Sequence, residues 1–475
     1  MSIWQASRVN PFLYEIAKTA KPNMHVPARV YADDVLFEQI KGDRSLDQLT
    51  NVATLPGVTR AVYAMPDVHE GYGFPVGGVA AMRESTGVIS PGGVGYDINC
   101  GVRVLVAPLE ERELRPRLEA VVHELSRSIP SGTGRASRQA LDARELDDIL
   151  RNGSQALLEK GWVTQDDLDV TESRGRLPGA DPEKVSDRAK KRGHDQLGTL
   201  GSGNHFLEVQ YIDEIFDEEV AKVCGLREGL VTLMIHTGSR GLGHQVCTDY
   251  VRRMDAAMAR YGIKIPDREL ACAPFQSPEG QAYFAAMNAA ANFAWANRQT
   301  IAHRAREVFR RFFGADGELK LIYDVAHNIA KVEEHDGLRL LVHRKGATRA
   351  FGPWHPELPP KYRPIGQPVL IPGSMGTASY VLAGNAEASE LSFASSCHGA
   401  GRRMSRGAAK RAVQGAEVRR ELAQRGIVVR SPSAAELAEE APLAYKDVER
   451  VVDVVHGANI ARKVARLRPV GVVKG

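Results

Sequence analysis

Apolar and polar residues follow two rhythms along this chain. Between residues 110 and 160, apolar side chains recur at i, i+3 and i+4 (Leu118, Val122, Leu125; Leu146, Ile149, Leu150), which predicts helices. Residues 246–313 form the longest helical stretch, alanine-rich with a basic end. Residues 61–110 read differently: nine glycines fall between Gly71 and Gly101, around short apolar runs such as Val102–Val106. That texture predicts strands joined by tight turns. It returns in LGSGNHFLEV from Leu200, in VTLMIHTGSRGLGH, and in LIYDVAHN after Lys320. An extended region then runs to residue 397, with helix again near 403–424. The polar stretch 161–195 reads as mobile or inserted, and 110–195 as a variable or peripheral subregion. Chemistry-bearing residues occur from Asp97 to His398, so the expectation is one large α+β domain over 1–475.

Composition narrows the class. Lys+Arg 62 against Asp+Glu 58 gives +4, too even to announce broad coating of nucleic acid. A hydrophobic content of 43% supports a large core, and no apolar run reaches the length of a membrane span. The first residues lack a basic-then-apolar leader, and the five scattered cysteines do not suggest a disulfide framework. A cytoplasmic, reducing compartment is expected, with no membrane partner. Glycine is in excess, 45 of 475 residues, so its placement carries information.

The glycine-rich segments also hold the reactive side chains. In GGVGYDINCG, Asp97 and Cys100 stand three apart in a turn where both could converge. His205, His236 and His327 each sit at the end or inside of a strand-like run. Alone, each of these residues is an ordinary buried or turn residue. Together they are five metal-ligand types, more than one zinc site takes, which suggests two ions sharing a ligand. Ligand softness leaves zinc and manganese both open. A second cluster is SSCHGAGR, where His398 precedes glycines that let a phosphate approach the backbone. Arg402, Arg403 and Arg406 add charge for phosphate oxygens, and His398 itself could serve as nucleophile, base or ligand. The loop Pro372–Ser379 (PGSMGTAS) could seat a nucleotide. His25, His123, His303, His335 and His355 read as surface residues, Cys224, Cys247 and Cys272 as small core residues, and Arg298–Arg311 as a solvated basic face. From the residues alone, the chain is a metal-dependent enzyme acting on phosphates.

Nine ordered segments extend this reading. MPDVHEGYG (65–73), PGGVGYDINCGVR (91–103), LGTLGSGNHFLEV (197–209), HTGSRGLG (236–243), RKGATRA (344–350), IPGSMGTASY (371–380), SCHGAGRRMSR (396–406), PLAYKD (442–447) and the terminal VKG resemble the RtcB family of RNA-splicing ligases along nearly the whole chain. The segment 110–190 carries little of the resemblance. The resemblance implies that His398 is the nucleophile that becomes guanylylated. It implies that Asp97, Cys100, His205, His236 and His327 hold two Mn2+ ions, with Cys100 bridging. His236 and His327 would complete one site, Asp97 and His205 the other. GTP or GMP contacts are implied for Asn204, His205, Phe206, Leu207, Glu208, His327, Asn328, Pro372, Gly373, Ser374, Met375, Ser379, His398, Gly399, Ala400, Gly401 and Lys474. RNA phosphates are implied near Arg192, Lys345, Arg402 and Arg406. The roles of Glu208, Tyr445 and Asp447 stay open.

The implied activity joins an RNA 3′-phosphate or 2′,3′-cyclic phosphate to a 5′-hydroxyl, in tRNA splicing or RNA repair. It consumes GTP through a guanylylated histidine and an RNA(3′)pp(5′)G intermediate. The partners implied are RNA ends and an archease-type activator, with a monomer as the default state. Two other classes compete. A binuclear metallo-phosphoesterase would need the ligands but not His398 or Lys474, and a non-catalytic RNA-end binder would need neither ligands nor nucleophile.

Overall fold

The computed structural model describes residues 5–137 and 140–475. Its frame is two mixed sheets and one long helix, an α+β architecture. The first sheet runs Ala6–Asn10, Leu13–Ile16, Ala28–Tyr31, Val62–His69, Val76–Arg83, Leu338–Lys345, Asn328–His335, antiparallel except where Ala28–Tyr31 meets Val62–His69. The second runs Lys320–Ala326, Gly101–Glu110, Leu230–Thr237, Phe206–Ile215, Ala461–Lys474, Ser379–Gly384, Pro368–Ile371, with Val428–Arg430 added in parallel to Ala461–Lys474. No described helix is long and apolar enough to cross a membrane.

Register in the second sheet matters most. Neighbouring strands are antiparallel, so one strand's end lies beside the next one's start. Ala326 pairs with Gly101, Val102 with His236, His236 with Phe206, and Phe206 with Lys474. Residues far apart in sequence, at the starts and ends of five strands, therefore meet at one sheet end.

The helix Pro278–Phe313 spans 36 residues, about 54 Å at 1.5 Å per residue. Its middle is buried, alanines lying close against the sheets while polar side chains fix loops. Asn297 Oδ1 accepts from Gly198 N (2.7 Å) and Thr199 N (3.1 Å), and its amide donates to Thr199 O and Gly238 O. Arg298 Nη1 donates to Asn99 O (2.8 Å) and Thr237 O (2.9 Å), and its charge is met by Asp324 (2.9 Å). One buried guanidinium thus pins the residues adjoining Cys100 and His236.

Four expectations need correction. Residues 246–313 are not one stretch: Arg240–Met258 and Pro278–Phe313 are separate helices, split by a turn region and the short strand Ala273–Pro274. The basic face Arg298–Arg311 is solvated only in part, because Arg298 is buried and Arg306 is held by buried Asp167 (2.6 Å). His335 is not a surface residue; it is buried between Glu333 (3.1 Å) and Ser389 (2.7 Å). Residues 161–195 are not a loose segment. Glu172 is buried, accepting from Ala326 N (3.0 Å) and pairing with Lys331, and helices Gln165–Asp169 and Asp187–Gly193 pack into the body.

Candidate functional site

The sheet end carries the five ligand-type residues into one cluster. Cys100 precedes strand Gly101–Glu110, His205 precedes Phe206–Ile215, His236 ends Leu230–Thr237, and His327 follows Lys320–Ala326. Two sets of three ligand atoms lie within 4.8 Å of one another: Cys100, His236, His327 and Asp97, Cys100, His205. Cys100 belongs to both. Its Sγ lies 3.3 Å from His236 Nε2 and 3.5 Å from His205 Nε2. His236 Nε2 lies 3.2 Å from His327 Nε2, and His205 Nε2 lies 2.8 Å from Asp97 Oδ2.

The electrostatics suit cations. Burial, reinforced by neighbouring histidines, holds His236 and His327 well below the usual imidazole range, so both are neutral. Their Nδ1 atoms are buried without hydrogen-bond partners among the described residues. Burial, then the Asp97 charge, pushes the Cys100 thiol well up. A bound divalent cation would reverse that and favour the thiolate. Burial opposes ionisation of Asp97 too, but His205 and Arg240 outweigh it and keep the carboxyl low. His205 Nδ1 faces Leu200 O at 3.0 Å, which fixes the tautomer and leaves Nε2 as the ligand atom. Converging imidazole and sulfur atoms fit transition-metal ions.

Asp97, Cys100, His236 and His327 line a cavity of about 340 Å³, with His205 behind them, and its other wall is the loop after strand Ser395–Cys397. This loop is not an exposed polar turn, since His398 to Gly401 are all buried. His398 Nδ1 lies 2.6 Å from Asp67 Oδ2, which also accepts from His398 N (3.0 Å) and Gly399 N (3.2 Å). Asp67 is fully buried. Burial opposes its ionisation, but the His398 charge and hydrogen bonds, with Lys446, hold it below the usual range. Nδ1 is the ring nitrogen that faces this carboxylate, which leaves Nε2 as the one turned from it. The His398 and His327 ring centroids are 5.0 Å apart. Gly401 has φ +73°, and a Cβ there would strike Asp67 O, so the loop can close on Asp67 only with glycine.

The remaining sequence-derived residues divide. Asn204, Phe206, Asn328, Pro372, Gly373, Ser374, Met375, Gly399, Ala400, Gly401 and Lys474 line the cavity. Lys474 Nζ stands 5.6 Å over the Phe206 ring. Leu207 points the other way into the core, as strand alternation requires. Glu208 and Ser379 are buried off the cavity lining, bridged by Gln210 Nε2 at 2.9 and 3.0 Å. Burial raises Glu208 to about 8, only partly offset by Gln210 and Lys474.

Of the four basic candidates, Arg406 is open on the cavity lip, 57% exposed. Arg402 also lines the cavity but is held by Glu440 (3.2 Å) and lies over the Tyr445 ring. Lys345 lines it too, yet its ammonium donates to Tyr72 O (2.7 Å) and Phe74 O (2.8 Å), and burial lowers its pKa to about 8. That leaves Lys345 holding a loop, with little freedom to reach out. Arg192 is exposed and outside the cavity lining.

Tyr445 donates to buried Glu440 and lines the cavity, whereas Asp447 caps the helix Val448–Gly457 by accepting from Glu449 N. Sequence reasoning passed over Asp67, although it sits in MPDVHEGYG beside a histidine and two glycines.

The chain is similar to known proteins over this whole region. The family model for tRNA-splicing ligase RtcB matches residues 48–475. The tRNA-splicing ligase RtcB of Thermococcus kodakarensis is 57% identical over 475 residues, covering 98% of each chain. That of Archaeoglobus fulgidus is 54% identical over 475 residues, again covering 98% of each. The RNA-splicing ligase RtcB of Mycobacterium tuberculosis is 56% identical over 435 residues, 90% of this chain and 100% of its own.

Proposed function

Because the chain belongs to the RtcB family, we propose that it is a GTP-dependent RNA ligase. It joins 3′-phosphate or 2′,3′-cyclic phosphate ends to 5′-hydroxyl ends through guanylylated His398, in tRNA splicing or RNA repair. One observation carries the reading: His398, its Nδ1 at 2.6 Å from buried Asp67, shares a single cavity with Asp97, Cys100, His236 and His327, members of two ligand sets that have Cys100 in common.

His236 and His327 with Cys100 would hold one divalent ion, and Asp97 and His205 with Cys100 the other; manganese is the ion we propose. When bound, the ions supply Lewis-acid neutralisation of charge on phosphoryl oxygens. The residues do the rest. Asp67 holds the His398 proton on Nδ1 and keeps Nε2 aimed into the cavity. Nε2 attacks the α-phosphorus of GTP, forming the P–N bond as the bond to pyrophosphate breaks. Positive charge that develops on the imidazole is met by the Asp67 carboxylate. The P–N bond then breaks as an RNA 3′-phosphate oxygen takes the GMP. The 5′-hydroxyl attacks that activated phosphorus and GMP leaves; a cyclic phosphate must first be opened by water.

The charges of Lys474 and Arg406 position phosphates and nucleotide against the Pro372–Met375 loop. The reading carries RNA as partner, a cytoplasmic monomer, and an archease-type activator.

Incubation with α-labelled GTP and manganese tests it. The expected result is an acid-labile, alkali-stable label on the protein that disappears in His398→Ala. Metal-dependent phosphate release without label would replace the ligase reading with a phosphoesterase.

A further inference from the structure

The strand Val62–His69 carries Asp67 on an irregular stretch. It pairs with Val76–Arg83 at Tyr63–Val79 and Ala64–Gly78, and then again at His69–Val76. Met65 to Val68 therefore stand opposite Gly77 alone, and on the other side the pairing with Ala28–Tyr31 ends at Ala64. Such a bulge interrupts the ladder, and Pro66, which has no N–H, suits it. Gly77 has φ +92°, and a Cβ there would lie 2.8 Å from Val68 Cα, so the bulge closes only over glycine. Buried carbonyls that leave a ladder need other donors.

Lys446 supplies them. It lies between the short helix Pro442–Ala444 and the helix Val448–Gly457, and it is 6% exposed. Its Nζ donates to Pro66 O (3.2 Å) and Val68 O, the carbonyls on either side of Asp67. Asp67 O itself faces His69 Nδ1 at 3.0 Å. The main chain around Lys446 reaches the other half of the pair. Lys446 N donates to Gly401 O (2.9 Å), and Arg403 N donates to Ala444 O (2.9 Å), with Tyr445 bridging Arg402. One residue thus grips both the segment that holds Asp67 and the loop that holds His398, yet lies outside the cavity lining.

Its charge serves the same end. Asp67 Oδ1 is buried with no hydrogen-bond partner among the described residues. Burial opposes ionisation of this carboxyl, and nearby charge outweighs it, His398 first and then Lys446. His69 and Cys397 also face Asp67, and Asp67 and Asp43 face Lys446. Burial lowers the Lys446 ammonium to about 8, so it is charged at neutral pH.

We propose that Lys446 is a positioning residue for His398, clamping the carbonyls of Pro66, Val68 and Gly401 so that the Asp67 carboxylate stays in register with the imidazole. This rests on the guanylylation reading and adds to it a residue that touches neither nucleotide nor metal ligand.

The test is a cycle between Lys446 and Asp67 in the full-length, manganese-loaded protein. Single-turnover labelling by α-labelled GTP is timed for the wild type, Lys446→Met, Asp67→Asn and the double variant. Lys446→Met keeps the length of the side chain and removes the ammonium. It is expected to slow labelling about tenfold, while free Mn2+ read by electron paramagnetic resonance stays the same. In the Asp67→Asn background it should slow labelling little further. The 13C shift of the Asp67 carboxyl, assigned by its loss in Asp67→Asn, is followed against pH without GTP. Its titration is expected at higher pH in Lys446→Met. Lys446→Gln, which keeps N–H donors and loses the charge, is measured beside it and should move the titration the same way. Equal slowing in both backgrounds, or a titration that stays in place in both Lys446 variants, overturns the clamp. A wild type that takes no label, with Asp67 titrating higher once Lys446 is replaced, removes the ligase reading and keeps the clamp. Label in the wild type with neither slowing nor shift in the variants does the reverse.

Discussion

Asp67→Asn isolates the positioning of His398 from its presence. In the wild-type protein one carboxylate oxygen accepts from His398 N at 3.0 Å and Gly399 N at 3.2 Å and faces His398 Nδ1 at 2.6 Å. Asparagine keeps the shape and one acceptor oxygen but removes the charge. What is lost is the negative charge that strengthens two backbone hydrogen bonds and faces, at 2.6 Å, an imidazole that gains positive charge as Nε2 attacks. Hydrogen bonds to charged groups contribute about 1.5–3 kcal/mol, and about 1.4 kcal/mol is tenfold in rate. Single-turnover labelling by α-labelled GTP should therefore slow by about 10- to 150-fold, while thermal melting moves little. Asp67→Ala goes further, because it strands two buried N–H groups at about 1–3 kcal/mol each; its melting midpoint should fall as well. Asp67→Asn labelled at the wild-type rate, with normal melting, would refute the argument that Asp67 orients the nucleophile.

Four more consequences can be checked directly. Cys100→Ala should weaken both manganese sites, counted from free Mn2+ by electron paramagnetic resonance, and abolish labelling; loss of one ion with the other untouched would rule out a shared thiolate. Glu333→Ala leaves Arg344, now joined to Glu333 at 2.6 Å, as an unpaired buried cation, so the urea midpoint should report a loss of about 3–5 kcal/mol. The Glu208 carboxyl titrates near 8 in the fold against 4.5 normally, so between those values the folded chain binds the extra proton and stability falls as pH rises. Glu208→Gln should flatten that fall in denaturation curves taken from pH 5 to 8, and parallel curves would contradict it. Gly401→Ala, whose Cβ would strike Asp67 O, should reduce labelling more than it reduces manganese binding, since it displaces the His398 loop and touches no ligand.

The metal-ligand types were legible in the sequence because each sits where an apolar run starts or stops, and antiparallel register then brings such ends together. The partner of His398 was not legible. Asp67 lies 331 positions away, and an aspartate between a proline and a valine carries no local sign that its carboxylate will close on a distant loop. Alternation was underused as well: Leu207 shares a motif with Phe206 and Glu208, yet a strand sends adjacent side chains to opposite faces, so Leu207 goes to the core. The largest misreading, taking 161–195 for loose chain, came from treating polarity as exposure. Asp167 and Glu172 look solvated in one dimension, but Arg306, Lys331 and the Ala326 N–H wait for them in the fold. The same confusion made Arg298 look like a surface charge, when its task is to tie the backbone flanking Cys100 to the backbone flanking His236. A buried charge of this kind contributes little net stability, and its benefit here is geometric. Arg298 holds two ligand-bearing strand ends in one place, and such a role cannot be read from hydropathy, because it depends on which carbonyls the fold leaves facing inward.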